Sequence, residues 1–172
     1  YRKARGISED AVEPPGEPKS ISKETTFSED IEDAHRLERE LIALGERVAS
    51  RTRHHGLRAR RVTLKLRYAD FRTVTRARML EEGTDLDAPI REVVLGLLRG
   101  VLAKGGRPRI RFLGVSLSAL SRSGEQLSLF GHERREQLEA LTRKVDEVRE
   151  RYGFGSVRSG RSLGRAEEGE EE

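Results

Sequence analysis

Few residues in this 172-residue chain have the types and spacing that chemistry requires. Ser20-Ile21-Ser22-Lys23 sets a lysine three positions after a serine, the arrangement in which an amine could activate a hydroxyl nucleophile. It lies in a strand-forming run with no companion motif and reads as coincidence. His35, His54, His55 and His132 lack metal-ligand spacing, since adjacent imidazoles at a helix end point apart. The chain has no cysteine, which excludes disulfides and thiolate metal sites. Gly153 and Gly155 begin a G-x-G that completes no phosphate loop. By itself the chain is expected not to be an enzyme, and to hold no cofactor or metal ion.

Two other patterns fit binding rather than catalysis. Between residues 51 and 78, ten Arg or Lys accompany a single acid, Asp70. The net charge of +4 understates this: outside residues 1–18 and the acidic run EEGEEE, 31 basic residues stand against 21 acidic ones. Charge that dense calls for a polyanionic partner or strong screening. The second pattern is Gln126-Leu127-Ser128-Leu129-Phe130, an apolar pentapeptide between SRSGE and GHERREQLE. It fits a short edge strand closing the core, or an extended peg for a preformed cleft in another protein.

The elements that must position these residues follow from periodicity. The proline-rich AVEPPGEPK closes an expected tether over residues 1–18. KSISKETTF (19–27) predicts a strand with Ser20, Ser22 and Thr26 opposite Ile21 and Phe27. Ser28 reads as an N-cap, followed by helical spacing from Ile31 to Val48 and a stop at His54-His55-Gly56. RARRVTLKLRY (58–68) alternates, with Val62, Leu64, Leu66 and Tyr68 on one side and Arg61, Thr63, Lys65 and Arg67 on the other. The ADF step predicts a hairpin into RTVTRARML (72–80), whose facing the sequence leaves open. Asp87 is expected to cap a helix carrying Ile90, Val94, Leu98 and Val101. In RPRIRFLGVSLSAL (107–120) the parity slips, which predicts a bulge around Phe112-Leu113-Gly114. A helix over 132–152 carries Leu138, Leu141, Val145, Val148 and Tyr152 as a packing seam, and a short strand is expected at 155–158.

The order predicts an α+β fold: a split βαββαβ four-stranded sheet with two helices on one face, plus a C-terminal helix. Residues 19–158 form the expected domain, and 159–172 an acidic tail expected to be disordered. The bare sheet face would present Ser20, Ser22, Thr26, Thr63, Lys65, Arg67, Arg109, Arg111, Ser116 and Ser118. Cations and short hydroxyl donors suit phosphate contacts. No Phe or Tyr falls on that face, so stacking of single-stranded RNA is disfavoured and tracking of a duplex backbone is expected. No apolar run is long enough for a transmembrane helix and the stretch YRKARGISED does not read as a signal peptide, so a cytoplasmic, nucleoid-associated chain without a membrane partner is expected.

KSISKETTF after a proline-bearing tether, VTLKLRYADFRTVTRAR, IRFLGVSLSAL and QLSLF together resemble the C-terminal, little-finger domain of Y-family DNA polymerases of the bacterial DinB type. The resemblance implies damage-bypass DNA synthesis, with this domain gripping double-stranded primer-template DNA. It implies a catalytic core N-terminal to the chain that uses magnesium, and makes residues 1–14 the end of the thumb. Phosphate contacts are implied for Ser20, Ser22, Thr73, Thr75, Arg76 and Arg111; Thr63 and Lys65 join them on strand parity. Gln126, Leu127, Leu129 and Phe130 match the family's sliding-clamp peptide, here internal, with 42 residues after it. The competing expectations are a ferredoxin-like RNA-binding module and a basic protein-interaction domain.

Overall fold

The structure, a computed structural model, describes residues 16–103, 108–122 and 132–160. The elements run β1 (Ser20–Ile31), α1 (Ala34–His54), β2 (Leu57–Tyr68), β3 (Thr73–Thr84), α2 (Asp87–Leu102), β4 (Ile110–Arg122) and α3 (His132–Tyr152). One antiparallel sheet has the order β1-β4-β2-β3. Because β4 pairs antiparallel with both β1 and β2, those two strands are parallel to each other with β4 between them. Two split βαβ units are thereby interleaved, the expected α+β architecture.

Alternation assigns the faces. Val62, Leu64 and Leu66 of β2 pair with Leu117, Val115 and Leu113 of β4, and all six are buried. Ile21 of β1 extends the row from Leu117. Onto this side pack Leu37, Leu41, Leu44 and Val48 of α1 and Ile90, Val94, Leu98 and Val101 of α2. Each fully buried aliphatic side chain contributes about 1.5–3 kcal/mol, so a shift of one residue in register would forfeit the core. Among the described residues, α1 and α2 both pack on this one side.

Several boundaries differ from the sequence reading. Ser28 caps nothing: β1 continues to Ile31, which pairs with Ile110 and is buried. Burying Ile31 takes the strand past Ser28, and Asp33 becomes the cap, its Oδ1 accepting from His35 N at 2.9 Å. The helix does end at His54, with Gly56 at φ 64°. Asp87 is the first residue of α2 rather than its cap; Thr84 Oγ1 accepts from Leu86 N, while the Asp87 carboxylate accepts from Arg53 at 2.8 Å. Residues 154–156 form a 3₁₀ turn where a strand was expected.

The bulge in β4 lies at Arg111, ahead of the expected Phe112-Leu113-Gly114. Arg67 pairs with Phe112 and Tyr68 with Ile110, so Arg111 is the extra residue. Gly114 sits in unbroken register opposite Lys65. Its lack of a side chain serves a close approach instead, since a Cβ there would lie 3.0 Å from Glu24 Cγ.

The seam expected on α3 packs only in part: Leu138 and Val145 are half-buried beside α2, and the rest of it is exposed. Leu141 and Tyr152 are 61% and 66% exposed, and Val148 is 37% exposed. The helix is otherwise held by arginine–carboxylate pairs. Arg53 of α1 donates to both Asp146 oxygens at 2.6 and 3.0 Å, and Arg58 of β2 donates to Glu139 at 2.9 Å. Arg135 donates to Glu82 at 2.9 Å. Arg149, with its side chain 4% exposed, donates to the buried Glu46 at 2.7 Å and also reaches the Val157 carbonyl. Burial pushes the Glu46 carboxyl up from its ordinary value, opposed by the Arg149 charge. Leucine spacing on α3 misled in part because Arg149 does the anchoring that apolar contacts do elsewhere.

Arg149→Ala is expected to destabilise the fold by about 3–5 kcal/mol, because Glu46 is left buried without its partner. Glu46→Met combined with Arg149→Met should recover at least half of that loss. Urea unfolding midpoints check both; a single substitution that shifts nothing would contradict the docking of α3 through this pair.

Candidate nucleic-acid interface

Register across four strands arranges the open face in rows. Ser20, Ser118, Arg61 and Met79 make one row, and Ser22, Ser116, Thr63 and Ala77 the next. Glu24, Gly114, Lys65 and Thr75 form the third, and Thr26, Phe112, Arg67 and Thr73 the fourth. Directly paired residues share a face with Cβ atoms ~4.5–5.5 Å apart. The rows therefore place Ser20, Ser22 and Thr26 with Glu24 on the β1 edge, Thr73 and Thr75 with Ala77 and Met79 on the β3 edge, and Arg61, Lys65 and Arg67 with Thr63 between them on β2. Arg67 Nε donates to Thr73 Oγ1 at 3.1 Å, and Lys65 Nζ lies 3.5 Å from Glu24 Oε1 across Gly114. Gly114 lets that pair close over the sheet.

Of the residues named from sequence, Ser20, Ser22, Thr63, Lys65, Thr73 and Thr75 meet on this face. Ser20, Ser22, Thr73 and Thr75 are exposed, and the Lys65 side chain is 41% exposed. Arg76 does not join them. It pairs with the fully buried Leu64 and so belongs to the helix side of edge strand β3, where it is solvent-exposed and its Nη1 donates to Thr75 O at 2.9 Å. This settles the facing of β3: Thr73 and Thr75 look outward, while Val74 and Leu80 pack against the core. Gln126, Leu127, Leu129 and Phe130 lie outside the described residues.

Arg111 reaches the interface by another route. As the bulged residue at one end of the sheet, it donates from Nε to Asp30 Oδ1 at 2.8 Å. Arg109 lies 3.5 Å from the other Asp30 oxygen, and the Asp30 side chain is 6% exposed. The hydrogen bond from Arg111 holds the Asp30 carboxyl below its ordinary value, against the effect of burial. Asp30 thus fixes the guanidinium while leaving it 40% exposed. Glu32 lies 3.5 Å from Arg109.

One expectation about this face fails. Phe112 stands on it, in the same row as Arg67. The reason is the bulge at Arg111, which reverses the parity of Phe112 relative to Ile110. Phe112 is nonetheless covered, at 9% exposure. Lys65 Nζ and Arg67 Cζ lie 5.1 and 5.5 Å from its ring centroid. The ring props two cations above the sheet by cation–π attraction, and offers no platform to a base. Among the described residues, no group of three His, Cys, Asp or Glu could hold a metal ion, and no helix is long and apolar enough to cross a membrane.

Comparison with known proteins places this geometry. Residues 18–129 match the model of the impB/mucB/samB family C-terminal domain. The chain is 40% identical over 159 residues to a DNA polymerase IV from Dehalococcoides mccartyi, covering 92% of this chain and 40% of that protein. It is 42% identical over 127 residues to a DNA polymerase IV from Halorhodospira halophila, covering 74% of this chain and 35% of that one. The chain thus spans about two fifths of the curated relatives' length. Its fold is similar to part of a solved post-insertion binary complex of Dbh DNA polymerase, with TM-score 0.53 and 16% identity over 71% of this chain and 34% of that one.

The depressed Asp30 carboxyl has a pH signature. Its contribution to stability is complete above the ordinary value of 3.8 and is lost as pH falls through its lower folded value. Asp30→Asn is expected to flatten the loss of stability below about pH 4. Urea unfolding between pH 2 and 5 reads this, and an unchanged acid limb would contradict the Arg111–Asp30 pair.

Proposed function

Because the chain belongs to the impB/mucB/samB family as its C-terminal domain, the little finger of a Y-family DNA polymerase, we propose that its open sheet face grips primer-template duplex through the phosphates. The observation that carries this reading is the run of paired rows, in which Ser20, Ser22, Thr73 and Thr75 flank Arg61, Thr63, Lys65 and Arg67. Hydroxyls and cations contact phosphate oxygens without reading bases, so the grip is indifferent to sequence. A polymerase that moves along its product and meets damaged templates needs that indifference. Nucleotidyl transfer with magnesium, and its catalytic core, belong in this reading to the part of the relatives' length that this chain does not span.

We assign the second contact to Gln126-Leu127-Ser128-Leu129-Phe130, on its sequence. An extended pentapeptide with an amide at one end and Leu129 and Phe130 at the other suits an apolar cleft in a sliding clamp. A preformed cleft keeps the ordering cost small. Duplex grip and clamp tether together would hold a slow bypass enzyme at the primer end in the cytoplasm.

The affinity for random-sequence DNA duplex, titrated across salt, tests the first contact. Four or five neutralised phosphates give a log–log slope of about −4, at roughly −0.9 per contact. Lys65→Ala should weaken binding equally across sequences and reduce the slope by about one. A flat response would leave the basic face to another partner, and a preference for folded RNA would favour an RNA-binding module.

Leu129→Ala with Phe130→Ala is expected to abolish clamp binding while leaving duplex affinity and the unfolding midpoint unchanged. If the double variant unfolds, the pentapeptide belongs to the core and the clamp assignment fails.

A further inference from the structure

Phe71 stands at the tip of the β2–β3 hairpin and is 65% exposed. Its backbone has φ 65°, the left-handed region that glycine or asparagine ordinarily occupies and that a bulky residue rarely adopts. The loop explains the requirement. Phe71 N donates to Tyr68 O and Tyr68 N donates to Arg72 O, both at 3.0 Å. Asp70 Oδ1 accepts from Arg72 N at 2.9 Å. This is a three-residue hairpin loop whose last position must be left-handed. A phenylalanine there is strained, and burial does not compensate the strain because the ring faces solvent.

Its surroundings indicate what the ring meets. The Arg111 guanidinium lies 5.3 Å from the Phe71 ring centroid, and Asp30 holds that guanidinium in place. The Arg72 guanidinium lies 4.7 Å from the Tyr68 ring. The tip continues the open face, since Arg67 and Thr73, the last row of the sheet, flank the loop. One face of the phenyl ring is propped by a fixed cation, and the exposed remainder adjoins the phosphate-binding rows. Paired bases inside a duplex offer only their edges to a groove. A ring face gains by stacking only on a base outside the helix stack.

We propose that Phe71, backed by Arg111, is a stacking platform for an unpaired nucleobase adjoining the duplex that the sheet grips. The proposal rests on the duplex reading above and adds a second, non-electrostatic contact to it. A base on Phe71 is a sequence-tolerant contact, because every base has a π-face. The strained backbone then has a role: it holds the ring clear of the sheet, where a neighbouring base reaches it.

Two DNA probes test the idea with this chain: a blunt random-sequence duplex, and the same duplex with a single-stranded extension. The parent chain should bind the extended probe about tenfold more tightly, the order expected for stacking one base on an aromatic ring. Phe71→Gly, which suits the left-handed position, should fold at least as stably. It should bind the blunt duplex with unchanged affinity and salt slope, and lose the preference for the extension. Phe71→Trp gives the chain its first tryptophan, and its emission should be quenched by the extended probe and not by the blunt one. If Phe71→Gly keeps the preference, or the parent has none, or the tryptophan ignores the extension, the platform is wrong while blunt-duplex binding still upholds the grip. If neither probe binds the parent, the grip itself fails and the platform with it. Weaker blunt-duplex binding by Phe71→Gly would place the ring in a groove and overturn the stacking role.

Discussion

The burial of one side of β2 and β4 beneath two helices decides what the other side can be. Val62, Leu64 and Leu66 pair in register with Leu117, Val115 and Leu113 under α1 and α2. With a side-chain period of two, every intervening residue is turned outward. Arg61, Thr63, Lys65 and Arg67 therefore share one face because their neighbours share a core. The alignment of that face with β1 and β3 follows from the same register, so stability and the geometry of the interface are one constraint.

The periphery is organised by charge instead. The third helix contributes exposed Leu141 and Tyr152 and is held through Arg53, Arg58, Arg135 and Arg149. At the far end of the sheet, Asp30 fixes Arg111, and Arg111 backs Phe71. In a chain with 37% charged residues and 34% apolar ones, there is not enough apolar surface to dock every element. Arginine, with a planar fork and a long apolar stem, takes over that task. The same composition leaves other arginines and lysines on the open face, several of them already oriented by hydroxyls, carboxylates or a buried ring.

Much of this was legible in the residues. Alternation in 58–68 gave β2 and both its faces, and helical spacing gave α1 and α2, because burial imposes a period that the sequence must carry. The failures have a common cause in partners distant along the chain. Ser28 resembles a cap, yet Ile31 is drawn into the sheet by Ile110. Asp87 resembles another, yet Arg53 claims its carboxylate. The bulge at Arg111 reverses the parity of Phe112 and could not be located from β4 alone, since it is defined by the register with Arg67 and Tyr68. Arg76 shares a motif with Thr73 and Thr75 but faces the other way, and only its pairing with Leu64 reveals that. The strain at Phe71 could not be read locally, because the loop length that demands it is set by where the two strands pair.

The most direct measurement is a map of backbone amide chemical shifts by nuclear magnetic resonance, recorded while a random-sequence duplex is added to the isotopically labelled chain. Shifts should concentrate on the outward residues of the four strands, with Ser22, Thr63, Lys65, Arg67, Thr75 and Ser116 among the largest, and should leave α1 and α2 quiet. Shifts confined to the helical layer or to α3, with the sheet rows unmoved, would contradict the open face as the duplex-binding surface.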